Sequence, residues 1–313
     1  MLSLHKKVKR KIFSSTVFLA IVACILWATA FSGIKIGLRY TPPLQFAGLR
    51  FFISGLLLLP FIRQLTLKIA IAKKYWKQVV VVAILQITLQ YTLFYTGLSL
   101  VPGALSAMVV GSGPLFVTLV AHFMLKNDRL TLQKSYSIAL GLVGVVIISL
   151  SRKELTMDGS LLGIGIAILI LNNGLAGIGN VVVSKTAAEL PPLVLSSFSM
   201  IVGGAILYLF ALPIEGFAHG PFPLEYFGAL AWLSFLSAAA ITIWYTLLNR
   251  PGVKVSDLNM WKFIIPVVGA ILSWAILPNE HADALSIVGM VIIASSLLVL
   301  NLKVKFTKKV NES

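Results

Sequence analysis

The sequence predicts an all-α integral membrane protein of ten transmembrane helices, arranged as two inverted five-helix repeats. Three observations carry that expectation. The 313 residues fall into about ten apolar runs separated by short, mostly basic loops. A bilayer core of roughly 30 Å takes about 20 apolar residues per helical crossing, so ten crossings with their loops consume the chain and leave no separate soluble domain. Composition agrees: 58% of residues are hydrophobic, 12% are charged, and the mean hydropathy is +0.96. A soluble domain carries about twice that charge fraction. Finally, proline and glycine landmarks recur in the same order in the two halves of the chain.

The expected crossings are 15–38, 42–62, 77–99, 102–125, 133–150, 160–183, 192–213, 226–247, 257–277 and 284–301. The first follows a basic cluster from His5 to Lys11 and contains Ala28-Thr29-Ala30, which together imitate a signal peptide. Its apolar run continues past that site to Leu38 and is long enough to span, so it reads as a retained helix. The second opens at Pro42-Pro43-Leu44 and the seventh at Pro191-Pro192-Leu193, with Gly55 and Gly204 following at equal spacing. The third carries Gln86, Gln90, Tyr91 and Tyr95. The fourth contains Gly111-Ser112-Gly113-Pro114, and the fifth is glycine-rich, with Gly141 and Gly144. Three asparagines and Gly174, Gly177 and Gly179 mark the sixth, Pro266 the ninth and Gly289 the tenth. Pro114 precedes Asp128 at the same spacing at which Pro266 precedes Glu280. These recurrences divide the chain into five-helix units at 1–150 and 151–313. An odd number of crossings per unit makes the second enter the membrane from the opposite side, and that architecture places a site near the midplane.

Charge fixes the orientation. With the amino terminus inside, the inner segments hold the Lys6–Lys11 cluster, Arg63, Lys68, Lys73, Lys74, Lys77, Lys126, Arg129, Lys134, Lys185, Arg250, Lys254 and the C-terminal lysines. The outer loops hold only Arg39, Arg152 and Lys153, an asymmetry that puts both termini in the cytoplasm. The excess of 26 Lys+Arg over 10 Asp+Glu therefore signals topology, and no nucleic-acid partner is expected. A single cysteine, Cys24, excludes an intrachain disulfide, and no thiol metal cluster, other metal or cofactor is expected. The partners implied are the lipid bilayer and a small-molecule substrate. No feature assigns an oligomeric state.

Trp27 and Lys35 in the first crossing, Pro42 and Arg50 in the second, Pro114 with Asp128, Pro266 with Glu280, and the glycines Gly141, Gly144 and Gly289 together carry a resemblance. The chain resembles the EamA family of the drug/metabolite transporter superfamily over nearly its whole length. That resemblance implies an inner-membrane exporter or exchanger of small metabolites, amino acids being the commonest case, alternating access around a central cavity. The chain departs from the family pattern in having Asp128 where a glutamate is usual. Gly179 falls near the place that Lys35 holds in the first half, and Ser199 stands where Arg50 would repeat. The two halves are chemically unequal.

Charges inside the membrane point to the site, because an ionised side chain there costs several kcal/mol unless it faces a cavity or a partner. Lys35, near the outer end of its helix, reads either as a snorkelling side chain or as a site group. Lys262, about a turn and a half from the cytoplasmic end of the ninth crossing, can snorkel as easily. Arg50 is about eight residues into its helix, roughly 12 Å at 1.5 Å per residue, too deep for the interface to reach comfortably. It is either tied to backbone carbonyls or a fork for a carboxylate or phosphate. No acid falls within an apolar run; Asp128 and Glu280 read as partners for helix ends and loops. Without an intramembrane acid, facilitated diffusion or exchange is simpler than proton coupling, with His122 the one relay candidate.

Gln86 and Gln90 lie one turn apart, as do Tyr91 and Tyr95, and Trp27 aligns with Phe31 and Lys35. Amides in lipid must find partners, so the glutamines either bridge helices or bind a ligand. Asn172, Asn173 and Asn180 are denser in amide than a lipid-facing helix tolerates, so they are expected to point inward. The expected substrate-binding set is Trp27, Lys35, Arg50, Gln86, Gln90, Tyr91, Tyr95, Asn172, Asn173 and Asn180. Pro114 and Pro266 are expected either as hinges or as static packing.

Rival functions fit less well. An intramembrane hydrolase using Ser112 needs a base within reach, and His219 and His281 fall in outer loops while His122 is about three turns away. There is neither HExxH nor a clustered ligand set for zinc. No enzymatic activity is expected. A membrane scaffold without transport is argued against by the deep arginine and the polar sixth crossing. A flippase for a lipid-linked sugar or phosphate remains the nearest alternative, since its headgroup would also suit Arg50.

Overall fold

The computed structural model describes residues 2–101, 106, 109–151, 161–186, 189–276 and 283–301, without the side chains of 2–15, 31, 32, 35, 149, 151, 270, 273–276 and 301. All regular structure among the described residues is helical. The helices are α1 (Leu2–Gly37), α2 (Pro43–Leu58), α3 (Leu65–Lys74), α4 (Trp76–Ala83), α5 (Gln90–Leu100), α6 (Gly113–Met124) and α7 (Leu132–Ser151). They are followed by α8 (Leu162–Thr186), α9 (Pro192–Glu215), α10 (Leu224–Leu248), α11 (Val255–Met260), α12 (Ile264–Ile276) and α13 (Ala284–Asn301). A π turn, Ile84–Leu89, joins α4 to α5, and a 3-10 turn, Trp261–Phe263, joins α11 to α12.

Among the described residues five helical stretches are long and apolar enough to cross a membrane: Pro43–Phe61, Trp76–Leu100, Leu162–Thr186, Pro192–Glu215 and Leu224–Leu248. Shorter apolar helices cover Thr16–Ala30, Val109–Met124, Leu132–Ile148 and Ala284–Leu300. The protein is a multi-pass membrane protein. Two features differ from the sequence reading. Helix α1 begins at Leu2, so its 36 residues run about 54 Å at 1.5 Å per residue, well beyond a hydrocarbon core. The basic segment after Arg63 also folds as helix: in α3, Leu65 and Ile71 pack against the core while Lys73 and Lys74 stay exposed.

Two close helix pairs organise the packing. A Cβ built on Gly204 of α9 would lie 2.4 Å from the Phe52 nitrogen and 2.8 Å from the Gly48 carbonyl of α2. One on Gly55 would lie 2.6 Å from the Ser197 carbonyl. Contacts that rise along α2 fall along α9, so the two helices are antiparallel, and only glycine permits their backbones to meet this closely. The Ser197 hydroxyl donates to the Gly55 carbonyl at 2.8 Å, adding one bond across the same seam. Helices α7 and α13 repeat the arrangement. A Cβ on Gly144 would approach the Gly289 carbonyl at 2.7 Å, and one on Gly289 the Gly144 carbonyl at 2.8 Å. The hydroxyls of Ser137 and Ser296 donate reciprocally to each other's carbonyls at 2.8 and 2.7 Å.

Polar clamps hold the helix ends. Helix α2 opens on prolines and has no side-chain cap of its own. The carboxylate of Glu215, at the end of α9, accepts from the Leu44 and Gln45 amides at 2.9 Å each, satisfying donors that a helix N-terminus leaves open. In the loop between α6 and α7, Asp128 is buried against Lys134 at 2.6 Å and accepts the Ser256 amide at 2.8 Å, while Asp257 reaches the same lysine at 2.8 Å. Burial pushes the Asp128 carboxyl up, but hydrogen bonds from Lys134 and Ser256 outweigh it and hold the group below its ordinary value. Asp128 thus completes loops and helix ends, as its sequence position suggests. Glu280 lies outside the described residues.

Candidate functional site

Helices outside the two seams, together with Arg50 of α2, surround a cavity of about 260 Å³. Its walls come from α1 (Trp27, Ala30, Ile34), Arg50 of α2, the π turn and α5 (Gln86, Gln90, Tyr91, Phe94), Val110 and Gly111, and the start of α6 (Gly113, Pro114, Val117). Helix α8 adds Asn172, Asn173, Ala176 and Asn180, α10 adds Leu236, Ser237, Ile241, Trp244 and Tyr245, and the α11–α12 junction adds Lys262, Ile265 and Pro266. Among the described residues no aspartate or glutamate lines it.

Arg50 is 3% exposed, and its Cζ lies 4.6 Å from the Phe51 ring centroid and 5.3 Å from that of Tyr91. Aromatic faces attract the guanidinium through their quadrupole without neutralising it. Its Nε has no hydrogen-bond partner, and among the described residues no carboxylate pairs with the side chain. The side chain lines the cavity, and its open Nε is not tied to a backbone carbonyl.

The amides divide by role. Asn173 donates to the Val109 carbonyl at 2.6 Å and the Ser112 hydroxyl at 3.2 Å, bracing the irregular turn before Pro114, where a proline cannot continue the helical ladder. Asn180 donates to the Ala176 carbonyl at 2.7 Å and accepts the Trp244 indole N–H at 2.8 Å, fixing that ring. Gln86 reaches the Ala176 carbonyl at 3.5 Å and presses on Gly179, where a Cβ would lie 1.9 Å from its Nε2. Gln90 Oε1 and Asn172 Oδ1 are buried with no partner. A buried acceptor left open costs about 1–3 kcal/mol, so these two oxygens are groups that a ligand or water would satisfy.

Eight of the ten residues expected from the sequence thus share one cavity. Tyr95 does not join them: four residues along a helix advance the face by about 40°, which carries it past Tyr91 into a cluster with Leu44, Ala47, Leu207 and Ala211. The side chain of Lys35 lies outside the described residues. His122 stands away from the cavity, its Nδ1 accepting the Leu130 amide at 3.1 Å. Ser112 donates to the Val109 carbonyl at 2.6 Å, so its hydroxyl serves the turn.

Sequence reasoning missed Lys262, Ser237, Trp244 and Tyr245 as site residues. Lys262 does not snorkel: its Nζ lies 4.8 Å from the Trp244 ring centroid and 5.4 Å from that of Trp27, and those two rings meet edge to face at 5.0 Å. The 3-10 turn turns this lysine inward, and the available signal was that Pro266 stands four residues later, where a helix loses its regular bond.

The sequence profile of the EamA-like transporter family matches residues 14–150 and 163–302. The chain belongs to the EamA-like transporter family. Relatives of this EamA-like chain include an uncharacterised transporter, YvbV, of Bacillus subtilis strain 168, 27% identical over 300 residues, covering 94% of this chain and 93% of that one. A protein of Salmonella typhimurium strain LT2 named a probable amino-acid metabolite efflux pump is 26% identical, covering 90% of this chain and 93% of its own. A crystal structure 18% identical in sequence superposes with a TM-score of 0.76 over 92% of this chain and 96% of the other, showing a shared fold.

Proposed function

We propose that this EamA-like protein is a secondary transporter that exports or exchanges small carboxylate-bearing metabolites, amino acids among them, by alternating access to the cavity. The observation that carries the reading is a deeply buried arginine with no carboxylate partner among the described residues, in a cavity whose walls come from helices at both ends of the sequence. A carboxylate meeting Arg50 would gain two parallel hydrogen bonds and supply the missing counter-charge. The open oxygens of Gln90 and Asn172 would accept donors elsewhere on the substrate. Relatives named as amino-acid metabolite efflux pumps support export and this size of substrate.

The halves that rock are the units 1–150 and 151–313, each of five crossings, related by inversion. The antiparallel seams α2–α9 and α7–α13 support that pairing, because equivalent helices of inverted repeats run in opposite directions. The two family matches support the duplication. Pro114 and Pro266, both at the cavity, occupy the helix interruptions at which the walls would flex. The loop charges support placing both termini in the cytoplasm of a bacterial-type inner membrane. For an anionic substrate the resting potential assists export by about 2.3 kcal/mol per charge per 100 mV, so no coupling ion is required.

Counterflow in proteoliposomes tests the proposal: vesicles loaded with pooled unlabelled amino acids are given one labelled amino acid at a time, with wild type compared to Arg50→Ala at matched folded yield. Labelled uptake that disappears with the substitution supports it. No uptake of any amino acid by monodisperse protein would contradict the amino-acid reading.

A further inference from the structure

The cavity holds a second cation, half-buried where Arg50 is buried but likewise set against two aromatic rings. Lys262, which no expectation placed in the site, stands against two indoles, and Trp244 is itself locked by its hydrogen bond to Asn180. Among the described residues neither cationic side chain forms an ion pair; the ion pairs there belong to Lys134. Two positive charges therefore face one cavity whose walls contain no acid among the described residues.

We infer that the substrate of this cavity is a compact divalent organic anion, a small dicarboxylate or a phosphomonoester, bridged between Arg50 and Lys262. The inference rests on the reading of the cavity as a transport site and names its substrate class. Charge balance carries it. Two like charges facing one largely apolar cavity repel each other, so a ligand with two negative charges neutralises the site where a single carboxylate leaves it positive. A zwitterionic amino acid would add an ammonium group to this cavity and find only amide and hydroxyl oxygens to receive it. The aromatic faces beside both cations attract them without neutralising their charge, which is left for a ligand to meet.

The remaining polar groups refine the class. Gln90 Oε1 and Asn172 Oδ1 accept hydrogen bonds and have none, so they suit hydroxyl groups on the anion's backbone. The volume of about 260 Å³ sits at the small end for ligand pockets, which favours a compact molecule over a nucleotide-sized one. Arg50 belongs to α2 and Lys262 to the turn before α12, so one molecule held by both ties together the two ends of the chain that must move relative to each other.

The test uses the full-length protein in neutral-lipid vesicles with labelled malate as the dicarboxylate probe, labelled glycerol 3-phosphate as the phosphomonoester probe, and a pool of neutral amino acids as the third arm. We expect counterflow of at least one divalent probe, reduced by at least about tenfold in Lys262→Gln, the loss expected from one charge-assisted hydrogen bond. Lys262→Arg, which keeps the charge, should retain flux, and divalent uptake should rise when the vesicle interior is made positive. Which probe is carried separates the two sources of the double charge. If neutral amino acids exchange, neither probe does, and Lys262→Gln changes nothing, the divalent-anion inference is overturned while transport through the cavity stands. If folded protein exchanges none of the three, both readings fall together.

Discussion

Removing the Asp128 carboxylate should destabilise the fold by about 3 kcal/mol, at the low end of the roughly 3–5 kcal/mol for breaking a buried ion pair. The side chains of Asp128 and Lys134 are 3% and 5% exposed and meet at 2.6 Å, so Asp128→Ala takes from a buried ammonium its buried counter-charge. It also takes the acceptor from the Ser256 amide, a 2.8 Å bond. The cost stays at the low end because Asp257, 42% exposed, remains 2.8 Å from the lysine. Lys134→Met should cost less, about 1–3 kcal/mol, because Asp128 keeps its two bonds from Ser256. With both substitutions neither charge is stranded, so the double variant should be more stable than the sum of the singles implies, by about 1–3 kcal/mol. Unfolding in mixed micelles, followed by circular dichroism, reads all three differences. Additive costs would refute the reasoning, since they would mean that the aspartate and the lysine do not depend on each other.

The same carboxylate sets an acid limit. Its folded pKa lies below the ordinary 3.8, so its contribution is present in full above about pH 5 and is lost as pH falls through that depressed value; Asp128→Asn should flatten this part of an acid-unfolding profile. Gly204→Ala forces a Cβ to within 2.4 Å of the Phe52 backbone nitrogen, and by pushing α2 and α9 apart it should cost about 1–3 kcal/mol. Gly228→Ala has nothing within 4 Å of its new methyl group, so the same unfolding assay should show no loss, or a gain of up to about 1 kcal/mol from helix propensity. Trp244→Phe leaves Asn180 Oδ1 without its 2.8 Å donor and should cost about 1–3 kcal/mol; an unchanged midpoint would show that the bond carries no stability.

Helices and amides were legible in the sequence for one physical reason: lipid tolerates neither unpaired backbone nor unpaired amide. Asn172, Asn173 and Asn180 could only point inward, and Arg50 lay too deep to reach water. Trp244 and Tyr245 were not legible, because a helix in lipid is apolar on its outer face as well as its inner one, and periodicity then no longer marks the side that meets the cavity. Lys262 misled because depth along a helix says nothing about direction, and the 3-10 turn at Trp261–Phe263 sets that direction. Helix α3 was hidden by its charge: Lys68, Lys73 and Lys74 read as a loop, yet Leu65 and Ile71 pack its inner side against the core.

The central claim, that one cavity opens in turn to each side of the membrane, is tested most directly by a single cysteine placed in its wall. Cys24 is the only native cysteine, so Cys24→Ala with Ser237→Cys gives a protein with one thiol, at a cavity residue. Oriented vesicles are treated with a membrane-impermeant maleimide from either side, with and without a transported anion. Labelling from both sides, slowed by the anion in each case, is the expected result. Labelling from one side alone under every condition, or from neither, would contradict alternating access.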